Sequence, residues 1–154
     1  MSTERTLVLV KPDGVQRQLV GQIIARYEAR GLKLVGLKLV RVERVLAEQH
    51  YDAHSAKPFF AGLVEFIISA PLVALALDGP NAIAVVRAIN GATRPHEAAP
   101  GTIRGDHALE TAQNIVHASD SPEAAATELA LWFLPEELFD YERDIDQWVL
   151  APNE

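Results

Sequence analysis

The stretch Asn114-Ile115-Val116-His117-Ala118-Ser119-Asp120-Ser121-Pro122-Glu123 decides how this chain is read. A short β-branched run delivers a histidine, and a helix starts within a few residues, with Ser121 as its cap and Pro122 at its first position. Ala125, Leu129, Trp132 and Phe133 then form that helix's apolar stripe. For a lone histidine the usual explanation is a satisfied core side chain, so the rest of the chain must say whether His117 is more than that.

Working outward, residues 6–10 read as a buried strand stopped by the turn Lys11-Pro12-Asp13-Gly14. Val20, Ile23, Ile24 and Tyr27 follow helical spacing, and Gly31 is placed to end that helix. Residues 32–42 are strand-like, with a phase slip at Gly36 that predicts a bulge. Residues 45–69 read as two short helices and 72–77 as a fully buried strand. Asn81 is expected to cap a helix carrying Ile83, Val86 and Ile89, which Gly91 closes. Residues 91–113 form a long, weakly periodic segment carrying Arg94, Thr102 and Arg104, a length that favours a functional loop. This order predicts one α+β domain over residues 1–154 of the ferredoxin-like, split βαβ kind. It has a four-stranded antiparallel sheet with helices on one face, a helical hairpin and a long functional loop.

Composition narrows the partners. A chain of 154 residues can bury roughly 70% of its unfolded surface. Its longest apolar runs are too short to span a bilayer, and no basic region followed by an apolar core opens the sequence, so no membrane and no secretory signal is expected. With no cysteine there is neither a disulfide framework nor a thiolate metal site, and a cytoplasmic location is the expectation. A net charge of −7 opposes a nucleic-acid surface, so a phosphate ligand must be held by a local basic cluster.

Glu128 lies at the edge of the stripe that follows His117. If it pairs with one ring nitrogen, it fixes the tautomer and leaves the other nitrogen's lone pair as a nucleophile; a backbone cap or a solvent-facing side chain is the equal alternative. Lys11, Arg87 and Arg104 can converge on the same cleft in a split βαβ fold, which suits phosphoryl transfer. The chain has no Gly-rich phosphate loop and no His-Glu-x-x-His metal spacing, so side chains must hold the phosphates and a protein-held metal is not expected.

At this point the chain closely resembles the nucleoside diphosphate kinases, from Glu4 to about Trp148. The matching stretches are Val10-Lys11-Pro12-Asp13-Gly14-Val15, His50-Tyr51, Lys57-Pro58-Phe59-Phe60-Ala61-Gly62-Leu63, Pro100-Gly101-Thr102-Ile103-Arg104-Gly105-Asp106, and Asn114-Ile115-Val116-His117 with Ser119-Asp120-Ser121. The resemblance implies a ping-pong enzyme in which His117 takes the γ-phosphate of ATP or another nucleoside triphosphate and passes it to a nucleoside diphosphate. It implies that Lys11 and Asn114 contact the ribose, with Lys11 also near the transferred phosphate, and that Tyr51 reaches towards the γ-phosphate. Arg87, Thr93, Arg104 and His54 would hold the phosphates with Mg²⁺, carried mainly by the nucleotide. Glu128, assisted by Ser119, would orient His117.

Phe59 would stack on the base with Leu63 nearby, and Thr111 would line its second face. Stacking without base-edge hydrogen bonds makes base specificity broad. The resemblance further implies a homo-oligomer, a hexamer first and a tetramer second, in which residues 134–154 pack on a neighbour with Trp148 as anchor. Ala118, Thr111-Ala112-Gln113, His107, Ala70 and Arg94 depart from the usual family residues, but none removes a catalytic group, so an active enzyme is expected. The alternative on the same fold is a catalytically weak nucleotide-binding regulatory module.

Overall fold

The computed structural model describes residues 3–152. Strands β1 (Glu4–Val10), β2 (Lys33–Val40), β3 (Leu72–Gly79) and β4 (Val116–Ala118) form one antiparallel sheet in the order β2-β3-β1-β4. The central pair β1 and β3 runs in register from Glu4 opposite Gly79 to Val10 opposite Val73. β4 joins by three residues only and sets His117 opposite Leu9. The connecting helices are α1 (Pro12–Gln16), α2 (Val20–Ala29), α3 (Arg44–His50), α4 (Phe60–Ile67), α5 (Ala82–Asn90), α6 (Ile103–His107), α7 (Pro122–Trp132) and α8 (Asp146–Val149).

The expectation of helices on one face is corrected: they cover both. Val8, Val10, Val73, Leu75 and Leu77 pack against Ile23 and Tyr27 of α2 and Val86 of α5. Leu7, Leu9, Ala74 and Ala76 point the other way, onto Ala47 of α3, Val64 and Ile67 of α4, and Leu129 and Trp132 of α7. Successive strand residues face opposite sides, and β1 from Leu7 onward and β3 are apolar at both parities, so each face needs a cover. All eight residues of β3 are buried, and each fully buried Leu or Val contributes roughly 1.5–3 kcal/mol.

The expected bulge is present: the β2–β3 register shifts between Leu34 and Gly36. Gly36 is required by close approach there, since a Cβ would lie 2.9 Å from a Leu138 methyl and 3.2 Å from Ala76 Cβ. Ser121 caps α7 as expected, its hydroxyl accepting from Ala124 N at 3.0 Å. Asn81 does not cap α5. It sits at φ 54 with no side-chain cap, and the Glu4 carboxylate instead accepts from Ile83 N at 2.8 Å. Residues 11–14, expected as a plain turn, lead into the one-turn helix α1, for which Pro12 supplies the preset φ at the first position.

The segment after α7 lies along β2 of its own chain. Phe139 N donates to Val35 O at 2.9 Å, Lys33 Nζ to Tyr141 O at 2.6 Å and Arg143 Nη1 to Gly31 O at 3.0 Å. Phe139, Ile145 and Trp148 face outward, Trp148 with 82% of its surface exposed. Among the described residues no helix is long and apolar enough to cross a membrane.

Candidate active site

His117 is the middle residue of β4. Val116 and Ala118 belong to the core on one face, so alternation sends the imidazole to the other face, towards α3 and α7. There His117 Nε2 lies 3.0 Å from Glu128 Oε1, and the Ser119 hydroxyl donates to the same oxygen at 2.8 Å. A carboxylate can only accept, so Nε2 carries the proton and Nδ1 keeps the free lone pair. The open choice for Glu128 is thereby decided in favour of pairing. Burial alone would raise its carboxyl, yet the hydrogen bond and charge contact with His117, with help from Ser119, hold it below the ordinary carboxylate range. Ser119 is fully buried behind this pair, its amide bonded to Leu7 O at 3.2 Å.

Three basic residues from other elements line the same cleft as the histidine. Lys11 leaves the end of β1 almost fully buried, and its Nζ donates to Asn114 Oδ1 at 2.5 Å. Burial pushes its pKa down to about 8; Arg104 adds to the shift and Asp13 opposes it. Arg104, from α6, spends its guanidinium on three backbone carbonyls: Nε on Asn114 at 3.1 Å, Nη1 on Gly91 at 2.8 Å and Nη2 on Val116 at 2.5 Å. It therefore ties the long loop to the approach of β4, at the cost of a pKa brought down to about 10 by its burial. Arg87 reaches from α5 to Ala118 O at 3.1 Å.

The chain enters β4 through a strained residue. Ile115 has φ 74, a region that β-branched side chains rarely occupy, at a cost on the order of 1–3 kcal/mol. It is held there from both sides: its amide donates to Asp13 Oδ2 at 3.0 Å and its carbonyl accepts from Lys11 N at 2.8 Å. This turn leaves the two polar ends of Asn114 free to bridge, Oδ1 to Lys11 and Nδ2 to Thr93 O at 2.9 Å.

These groups line one cleft of about 480 Å³. Lys11, Asn114, His117, Glu128, Arg87, Arg104 and Thr93 line it together with Tyr51, His54, Phe59, Leu63 and Thr111. Every site residue expected from the sequence thus lies in this cleft, except Ser119, which stands behind Glu128. Phe59 is half exposed, whereas the neighbouring Phe60 packs against the core. Burial raises the Tyr51 phenol to about 12, which keeps it a neutral hydroxyl donor.

The sequence model of the nucleoside diphosphate kinase family matches residues 4–138. The chain is 56% identical over 146 residues to the nucleoside diphosphate kinase of Carboxydothermus hydrogenoformans, covering 95% of this chain and 98% of that one. To that of Methanosarcina barkeri it is 58% identical over 140 residues, 91% of this chain and 94% of the other. This chain belongs to the nucleoside diphosphate kinase family. Among solved structures, a halophilic nucleoside diphosphate kinase from Halobacterium salinarum in complex with CDP superposes with a TM-score of 0.95 at 48% identity, covering 97% of this chain and all of that one. A nucleoside diphosphate kinase family protein from Babesia bovis gives 0.94 at 48% identity, with 96% and 99% covered.

For a nucleoside diphosphate kinase, two residues that shape the approach to the nucleophile or touch it escaped the sequence reading. Asp13 was read as part of a turn, yet its carboxylate holds Ile115. His50 stands in the sequence only within a stretch that matches the family, yet its ring packs edge-to-face on His117 with centroids 4.6 Å apart. A signal for His50 was available in principle: it ends α3 directly before Tyr51.

The donors also bear on Mg²⁺, which takes hard oxygen ligands. The carboxylates lining the cleft are Glu128, committed to His117 and Ser119, and the exposed Asp120. That donor set fits an ion whose oxygens come chiefly from the nucleotide.

Proposed function

We propose that this protein transfers the γ-phosphoryl group of a nucleoside triphosphate to a nucleoside diphosphate in two half-reactions at His117. The single observation that carries the reading is the tautomer: Glu128 occupies Nε2, so Nδ1 is the nucleophilic nitrogen. In the first half-reaction the Nδ1 lone pair forms a bond to the γ-phosphorus. The bond to the β,γ-bridging oxygen breaks, and its electrons leave on the nucleoside diphosphate. In the second, a terminal oxygen of an acceptor diphosphate attacks that phosphorus and the P–N electrons return to Nδ1. The Nε2 proton stays on His117 throughout, facing Glu128.

Catalysis of this kind is mostly positioning and neutralisation of charge. Lys11 and Asn114 hold the ribose, Lys11 also meets the transferred group, and Tyr51 donates its hydroxyl to it. His54, Arg87, Thr93 and Arg104 grip the phosphates, and a Mg²⁺ carried by those phosphates neutralises charge that the three cations leave. Phe59 stacks on the base, with Leu63 and Thr111 beside it, and reads no base edge. The CDP held by the Halobacterium relative supports a nucleotide in this cleft.

The regulatory-module alternative is not favoured, since nucleophile, orienting carboxylate and cations are all in place. The protein works in the cytoplasm as a homo-oligomer, a hexamer in preference to a tetramer. Exposed Leu37 and Leu39 on edge strand β2 and exposed Trp148 supply apolar surface for neighbours.

The test is a half-reaction with γ-labelled ATP and Mg²⁺, followed by unlabelled GDP. Label that resists alkali, is lost in acid, leaves as GTP and is missing from His117→Ala supports the reading. Wild-type protein that binds ATP but takes no label overturns it.

A further inference from the structure

His50 belongs to no role assigned above, yet it touches the nucleophile. It ends α3, lines the cleft, and meets His117 edge-to-face at 4.6 Å between ring centroids with an 81° interplanar angle. From behind, the indole of Trp132 donates its Nε1 hydrogen to His50 Nδ1 at 3.0 Å. An indole N–H can only donate, so Nδ1 of His50 is bare and the ring's single hydrogen sits on Nε2. His50 also stays uncharged: burial, and secondly the neighbouring His117, push its pKa down to about 3. Its Nε2 has no protein hydrogen-bond acceptor among the described residues, and it is not sealed from the cleft.

Two other readings of this pair fail on the same hydrogen bond. A nitrogen each from His50 and His117 and an oxygen of Glu128 lie within 4.8 Å of one another, a spacing that a transition metal could bridge. A neutral His50 that ligates through Nε2 needs its hydrogen on Nδ1, where the Trp132 hydrogen already points. Nor can His50 compete as a nucleophile, because its one lone pair is occupied by the indole.

We propose that His50 is a further catalytic residue, a neutral donor locked by Trp132 that offers its Nε2 hydrogen to an oxygen of the phosphoryl group carried by His117. The inference rests on the phosphohistidine reading and adds a group to it. A fixed, uncharged donor beside the reacting phosphorus stabilises charge on its oxygens without adding a positive charge next to the nucleophile. Trp132, one shell further out, is a positioning residue that acts only through the His50 tautomer.

Two measurements test it. Nitrogen-15 spectra of histidine-labelled wild-type protein should show His50 protonated on Nε2 alone, and a His50 protonated on Nδ1 would overturn the proposal. Single-turnover phosphorylation by ATP·Mg²⁺ is then compared in His50→Phe, which fills space without a donor, and His50→Gln, whose amide can place N–H groups near Nε2. His50→Phe should slow phosphorylation on the order of 10- to 100-fold, His50→Gln markedly less, and neither should shift the Kd for ADP more than about twofold. Trp132→Phe, which frees the tautomer, should fall between wild type and His50→Phe. Equal rates in the Phe and Gln variants would reduce His50 to packing and overturn the proposal. Absence of label on wild type would overturn the phosphohistidine reading, and this inference with it; loss of the Phe–Gln difference in a protein that still labels overturns this inference alone.

Discussion

At one edge of the sheet β4 contributes three residues, and the groups around it are polar and buried: Lys11, Arg104, Asn114 and Ser119 are all among the buried residues. At the other edge β2 runs for eight residues, and Leu37 and Leu39 stand 53% and 67% exposed. Both break the ordinary rule of apolar inside and polar outside. Near β4 the cost of burying charge is met by hydrogen bonds, from Arg104 to three backbone carbonyls and from Lys11 to Asn114 Oδ1, which also fix these cations in place. Along β2 the exposed leucines offer apolar surface to the homo-oligomer proposed above. One edge is polar and buried, the other apolar and exposed.

Removing the orienting carboxylate attacks the β4 edge at its strongest point. Glu128→Ala should lower the single-turnover rate of His117 phosphorylation by on the order of 10²–10³-fold, since the ring loses its tautomer and its orientation together. A drop of less than tenfold would mean that β4 alone positions the imidazole.

Proton loss from Lys11 gives a smaller and graded effect. Its pKa falls from the ordinary 10.5 to about 8 in the folded protein. Above pH 8 the cation is lost from the cleft, and phosphorylation should fall about tenfold per further pH unit if the charge is essential. Stability moves oppositely. Between pH 8 and 10.5 the unfolded chain holds the proton that the folded chain has released, so the Lys11 contribution to stability rises with pH across that window. Activity and chemical denaturation profiles recorded side by side on Lys11→Met and wild type would separate the two.

The β2 edge should respond least within a single subunit. Leu37→Asp with Leu39→Asp should leave subunit stability within about 0.5 kcal/mol, as for other exposed positions, yet reduce the assembly seen by light scattering. An unchanged assembly would show that neighbours cover another surface, and the contrast between the two edges would lose its meaning.

The elements legible in the sequence were those governed by near neighbours. The α7 cap at Ser121 and the reversals at Gly31 and Gly91 depend on contacts or backbone preferences within a few positions, and the bulge at Gly36 shows locally as a slip in alternation although the atoms that crowd it lie far along the chain. What escaped was imposed from afar. Ile115 is bent by Asp13, 102 positions away, and His50 is turned by Trp132, 82 positions away. The helices on the second face escaped because continuous apolar strands were assigned a one-sided cover. His117, Glu128, Lys11, Arg87 and Arg104 stand out from position and fold, whereas the other cleft residues come through family resemblance; position alone leaves the partner of Glu128 open, and the structure sets it 3.0 Å from His117.

Glu4, the first residue of β1, donates no chemistry to the cleft, yet its carboxylate holds the first turn of α5 by the amide of Ile83. Arg87 rides on that same helix. Anyone choosing where to start a shortened or fused version of this chain is therefore also adjusting the helix that carries Arg87, the side chain proposed above to hold phosphate, more than eighty positions downstream. Trimming the chain past Glu4 removes the carboxylate that holds the first turn of that helix.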